Sequence, residues 1–179
     1  LLVVGINQYH DKNLWLKYAV QDGQAIAAIV NQTGRPLFRE VKVTKLFDDR
    51  VTMNGMEQAF REASADILPQ DVFMLYLAGH GKTLEGRYYF LPHEFYYTSE
   101  TAIRHNAVNQ DHLQHWLAGI PALKSLVMID TCESGSFSKS MMAMHGMAEK
   151  AAIARLRRAT GRATIAASTF WRASREREP

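Results

Sequence analysis

The sequence predicts an α/β fold built on an open, mostly parallel sheet flanked by helices. Three observations carry that expectation. Short apolar runs of strand length recur along the chain, helical spacing of apolar residues fills most of the intervals between them, and 179 residues are enough for one domain with a sizeable core.

The elements follow in chain order. Residues 1–6 form an apolar strand (Leu1, Leu2, Val3, Val4, Gly5, Ile6) that runs into the polar turn 7–11. Residues 18–32 carry Ala19, Ile26, Ile29 and Val30 at helical spacing, and Gly34-Arg35-Pro36 stops that helix. Val41, Val43 and Leu46 alternate as a second strand, and Asn54 reads as the cap of a helix reaching Ile67. Residues 71–78 are near-continuously apolar, the pattern of a parallel strand covered on both faces. Residues 87–92 suggest a short hairpin arm, 110–117 a helix capped near Asn109, 125–130 another buried strand, and 163–167 the last one. Alternation of strands and helices without an internal repeat is the signature of an open α/β sheet.

Composition narrows the function classes. A hydrophobic share of 47% and a charged share of 22% exclude a disordered or collagen-like chain. No apolar run reaches the length of a membrane span. The single cysteine, Cys132, excludes an internal disulfide framework and a Cys-rich zinc site, and it fits a reducing, cytoplasmic setting. The chain opens on Leu1 rather than Met, which reads as an excised piece. A net charge of +3 hides an asymmetry: residues 150–179 hold eight basic residues against Glu176 and Glu178, so +6, which leaves −3 for residues 1–149. That basic stretch lacks the interleaved aromatics of a single-strand binder, so it reads as a solvated segment and no nucleic-acid partner is expected.

Sites in open α/β sheets form at the carboxyl ends of strands. The strand 71–78 runs into Gly79-His80-Gly81, and the strand 125–130 runs into Thr131-Cys132-Glu133-Ser134-Gly135. If these strands are neighbours, His80 and Cys132 emerge side by side. An imidazole beside a thiol takes its proton and yields a thiolate nucleophile, then protonates a leaving amine. The backbone N–H groups of Gly81 and Cys132 suit an oxyanion hole. The other histidines (His10, His93, His105, His112, His115 and His145) lack such a context, and His112 and His115 read as surface residues.

The segments Leu75-Tyr76-Leu77-Ala78-Gly79-His80-Gly81 and Met128-Ile129-Asp130-Thr131-Cys132-Glu133-Ser134-Gly135 resemble the His and Cys motifs of caspase-like cysteine peptidases, closest to the metacaspase and bacterial caspase-like branch. The opening Val3-Val4-Gly5-Ile6-Asn7-Gln8-Tyr9 and the stretch Leu16-Lys17-Tyr18-Ala19-Val20-Gln21-Asp22 resemble the first strand and first helix of that branch. His80 precedes Cys132 by 52 residues, close to the interval of about 50 residues in caspases. The resemblance implies a caspase-type fold and a polypeptide substrate, cleaved by Cys132 as nucleophile with His80 as general acid and base. It also implies that Asp22 and Asp130 line the pocket for the residue before the scissile bond. Two carboxylates there select Arg or Lys and repel Asp. The resemblance places Ala78 in the same pocket, where relatives often have Ser, so one polar contact of the pocket is expected to be missing.

Further expectations follow from the same resemblance. Residues 136–161 fit the linker after the nucleophile, and Lys139, Lys150, Arg155, Arg157 and Arg158 within it suit autoprocessing by an enzyme that cuts after basic residues. The same stretch, from 141 to 158, also reads as an amphipathic helix. Residues 1–168 read as the catalytic, large-subunit-like domain and 169–179 as a basic, disordered tail. The strands and helix that complete the family's sheet are not recognisable in that tail, so a small-subunit-like segment or self-association through an open sheet edge is expected. Many metacaspases need calcium, but Glu94, Glu100 and Asp111 are scattered and Lys139 adds positive charge beside the nucleophile, so no metal or other cofactor is expected. The competing readings are a catalytically silent caspase-like module and an α/β hydrolase of another kind. Asp130, two residues before Cys132, breaks the nucleophile-elbow pattern of the latter.

Overall fold

Alternate residues of the central strands enter two different apolar clusters, and that parity builds the domain. The structure, a computed structural model, describes residues 1–132, 154 and 163–167. Strand β1 (Leu2–Gly5) sends Leu2 and Val4 to one cluster and Val3 to the other. Strand β3 (Val72–Leu84) sends Phe73, Leu75 and Leu77 to the first and Tyr76 and Ala78 to the second. In β6 (Lys124–Cys132), Val127 and Ile129 join the first cluster, and Met128 packs against the second. Successive side chains of a strand point to opposite faces, so these strands are apolar on both.

Helices cover the two faces. Helix α1 (Ala19–Gly34) brings Ala19, Ile26 and Ala27 onto Val3, Tyr76 and Ala78. The opposite face takes Met56, Ala59 and Phe60 of α2 (Met53–Asp66), Ile103 of α3 (Glu100–Asn106), and Leu113, Trp116 and Leu117 of α4 (Gln110–Ala118). Phe60 stacks on Trp116 with ring centroids 5.3 Å apart and meets Phe73 at 6.3 Å, tying α2 and α4 to β3.

The remaining strands are β2 (Thr44–Phe47), β4 (Arg87–Phe90), β5 (Val108–Asn109) and β7 (Ala163–Ala167). The pairs β2–β1, β1–β3, β3–β6 and β6–β7 are parallel, giving the order β2-β1-β3-β6-β7. Beyond this parallel body, the far end of β3 pairs antiparallel with β4, and β4 pairs with β5. The open, mostly parallel α/β sheet expected from the sequence is therefore present, with an antiparallel extension.

Four local expectations change. Strand β3 does not end at Ala78 but continues to Leu84, because Gly81, Lys82, Thr83 and Leu84 pair with Phe90, Tyr89, Tyr88 and Arg87. Strand β6 likewise runs through Cys132, so His80 and Cys132 lie in strands rather than in loops. Helix α2 is capped by Thr52, whose hydroxyl accepts from the Gly55 N–H at 2.9 Å, and not by Asn54. His112 is no free surface residue: it completes a capping box with Asn109 and stacks on Trp116 at 5.8 Å. The linker 136–161, apart from residue 154, and the tail 169–179 lie outside the described residues. Among the described residues, no helix is long and apolar enough to cross a membrane.

Candidate active site

The pairing of β3 with β6 sets the site. The register runs Tyr76 against Met128, Ala78 against Asp130, and His80 against Cys132. These are the even positions of both strands, and Tyr76, Ala78 and Met128 among them lie on the face that α1 covers. The two residues singled out for chemistry therefore stand opposite each other at the carboxyl end of the parallel body, where open α/β sheets build sites.

His80 is 4% exposed and held at both ends. Its main-chain N–H donates to the Tyr9 hydroxyl at 2.7 Å. Its ring Nε2 lies 2.9 Å from the Leu14 carbonyl oxygen, a group that can only accept, so Nε2 carries the proton. In the neutral ring, Nδ1 is then the nitrogen that can take up a proton. Tyr9 and Leu14 both belong to the connection between β1 and α1. That connection is pinned at its base by Asp48, whose carboxylate accepts the N–H groups of Asn7 and Gln8 at 2.8 and 2.9 Å. Asn7 in turn accepts the Val20 N–H at 3.1 Å, capping the start of α1 with a side chain from outside the helix.

Close packing joins the hairpin to the end of β6. A Cβ on Gly81 would lie 2.7 Å from Thr131 Oγ1 and 2.9 Å from a Tyr88 ring carbon, so only glycine fits. The Tyr88 hydroxyl donates to Thr131 Oγ1 at 3.2 Å, and both residues are buried. Gly81 faces Phe90 in the ladder position next to the Leu91 N–H to His80 C=O bond of 3.0 Å. In that position of an antiparallel pair, the main-chain N–H points away from the partner strand β4.

One carboxylate has a partner that sequence reasoning missed. The Tyr76 hydroxyl donates to Asp130 Oδ2 at 2.9 Å, while Asp130 stays half-buried. Burial drives the Tyr76 phenol well above the ordinary tyrosine range, and the Asp130 charge, the hydrogen bond to it and the Asp22 charge add to the rise. Asp22 is exposed in the first turn of α1. Asp130 and Asp22 thus both act on Tyr76, and Ala78, 1% exposed, packs in the α1-side cluster with Tyr76. The signal that pointed to Tyr76 was available: its position shares strand parity with Ala78 and His80. Lys150, Arg155, Arg157 and Arg158 lie outside the described residues. Among the described residues, no group of three or more His, Cys, Asp or Glu side chains is arranged to hold a metal ion.

The model of the caspase domain family matches residues 1–175. The chain belongs to the caspase-domain family of cysteine peptidases. This caspase domain is also similar to the crystal structure of protein GSU0716 from Geobacter sulfurreducens, with a TM-score of 0.57 and 21% identity. The match covers 89% of this chain and 61% of that one, so the caspase domain here spans less than two thirds of its structural relative. At that identity the likeness speaks for the fold alone. No curated protein matches the chain.

Proposed function

We propose that this caspase domain is a cysteine endopeptidase of the metacaspase and bacterial caspase-like kind, cutting polypeptides after Arg or Lys. The observation that carries the reading is the register of β3 on β6, His80 against Cys132. The Cys132 thiol gives its proton to His80 Nδ1, and the thiolate attacks the scissile carbonyl carbon. The Leu14 carbonyl on Nε2 stabilises the imidazolium that forms, as a fixed acceptor does in other Cys–His pairs. The N–H groups of Gly81 and Cys132 take the developing oxyanion. The imidazolium then protonates the leaving amine, the C–N bond breaks, and a thioester remains on Cys132. Water, deprotonated by His80, hydrolyses the thioester and frees the thiol.

The preference for basic residues rests on Asp130 and Asp22. Tyr76 stays protonated and donates to Asp130, orienting that carboxylate, so the pocket offers two carboxylate acceptors to an incoming cation. A carboxylate side chain entering the same space meets like charges.

The test is hydrolysis of matched fluorogenic peptides ending in Arg, Lys or Asp, with this chain, Cys132→Ala and His80→Ala. Cleavage after Arg or Lys that disappears in both variants supports the dyad and the pocket together. Cleavage after Asp overturns the pocket and keeps the dyad. Silence of this chain and of a longer version of it favours the non-catalytic module.

A further inference from the structure

His80 stands at a seam, where one partner of β3 ends and another begins. The Ile6 N–H, just past β1, donates to the Ala78 carbonyl at 3.2 Å, and the Leu91 N–H, just past β4, donates to the His80 carbonyl at 3.0 Å. Between these two partners, the acceptor for the His80 N–H is a side chain, the Tyr9 hydroxyl at 2.7 Å. Tyr9 is 2% exposed, and its ring lies 5.1 Å from the imidazole, tilted by 41°. Its own carbonyl accepts the Trp15 indole N–H at 2.8 Å, which folds the chain back so that the Leu14 carbonyl reaches Nε2. A Cβ on Gly79 would come within 2.8 Å of the Tyr9 hydroxyl oxygen, so β3 and that hydroxyl are in direct contact just before His80.

We propose that Tyr9 is a positioning residue of the peptidase reaction: its hydroxyl fixes the His80 main chain at the seam and, together with the Leu14 carbonyl on the ring, sets the direction in which Nδ1 is presented beside the end of β6. A buried N–H without an acceptor is costly, so loss of the hydroxyl forces the strand to turn toward another partner. Any such turn pivots the imidazole away from its carbonyl, and displacements of about 1 Å in a reacting group cost about a hundredfold in rate. The proposal rests on the Cys132–His80 dyad, and its test separates the two.

The chain holds one cysteine, so alkylation by iodoacetamide reports on Cys132 alone. The rate is compared at neutral pH for the wild-type chain, Tyr9→Phe, His80→Ala and Ala59→Gly. Ala59, 5% exposed on α2, supplies a core defect outside the Tyr9–His80 contacts. The expected result is slow alkylation in His80→Ala, a loss of up to about a hundredfold in Tyr9→Phe, and the wild-type rate in Ala59→Gly. In peptide cleavage, Tyr9→Phe lowers kcat and leaves KM in place, a split that general loosening does not produce. A wild-type alkylation rate in Tyr9→Phe overturns the proposal, as does equal slowing in Ala59→Gly. A wild-type rate in His80→Ala overturns the dyad itself, and the role of Tyr9 with it. If Tyr9→Phe does not fold, amide hydrogen exchange of the wild-type chain decides. Protection of the His80 N–H equal to that of Leu77 supports the hydroxyl anchor, and exchange at the rate of an open loop overturns it.

Discussion

Replacing Gly81 with alanine puts a methyl group into a space already occupied. The new carbon would stand 2.7 Å from Thr131 Oγ1, 2.9 Å from a Tyr88 ring carbon and 3.0 Å from Thr131 Cβ. Both neighbours are 1% exposed, so neither can swing into solvent to make room. Overpacking of a core costs about 1–3 kcal/mol, and three contacts this short argue for about 3 kcal/mol. For a domain of this size that lowers the melting temperature by about 6–12 °C. The displaced residue is Thr131, one position before Cys132, so peptidase activity falls further than stability alone explains. Thermal unfolding followed by circular dichroism measures the first effect. The double variant Gly81→Ala, Thr131→Ala regains part of the loss, because it removes the 2.7 Å contact and leaves the 2.9 and 3.0 Å ones. An unchanged melting temperature in Gly81→Ala, or a double variant as stable as Thr131→Ala alone, refutes the packing argument.

Two further outcomes follow from the carboxylate cluster. Tyr76 keeps its proton in the fold beyond the unfolded value of 10.0. Stability is therefore unaffected by this group below pH 10 and falls as pH rises above it, because the unfolded chain gives up a proton that the folded chain retains. Tyr76→Phe removes up to about 1.4 kcal/mol per pH unit of that slope, visible in denaturant melts taken at increasing alkalinity, and an unaltered slope counts against the phenol's environment. In cleavage after Arg, Asp130→Asn costs about 2 kcal/mol, or about 30-fold in kcat/KM, since it strips a half-buried charge of its ligand partner. Asp22→Asn, at an exposed position, costs less than about 1 kcal/mol, and the reverse order of the two would reassign the pocket.

Much of this was legible because two kinds of pattern coincide in the chain. The apolar runs around Val3, Leu75 and Val127 are set by burial on both faces, and burial on both faces leaves no polar alternation to misread. His80 and Cys132 were visible because each follows such a run. The end of β3 was not, since Gly81, Lys82 and Thr83 look like loop residues, and only their partners Tyr88, Tyr89 and Phe90 make them a strand. Helix α3 escaped for a similar reason: seven residues with one buried apolar side chain, Ile103, give too short a period to recognise. Tyr9 reads as part of a polar turn and Tyr76 as one residue of an apolar strand, because what sets them apart is the partner each hydroxyl finds, 71 and 54 residues further along. The Thr52 cap, by contrast, was within reach of sequence reasoning, and Asn54 competed for it as another good cap former.

The register of β3 on β6 has a consequence for timing. His80 is bonded to Leu91 at the foot of a local hairpin, but it pairs with Cys132 only after every residue from 81 to 131 has been made. Local pairings form early, and parallel pairings across long intervening chain form late. A ribosome that has released the first hundred residues has released a complete histidine arm and no nucleophile. If the dyad works as proposed, proteolytic competence is thus withheld from the nascent chain by topology, and waits at least until β6 has been laid down beside β3.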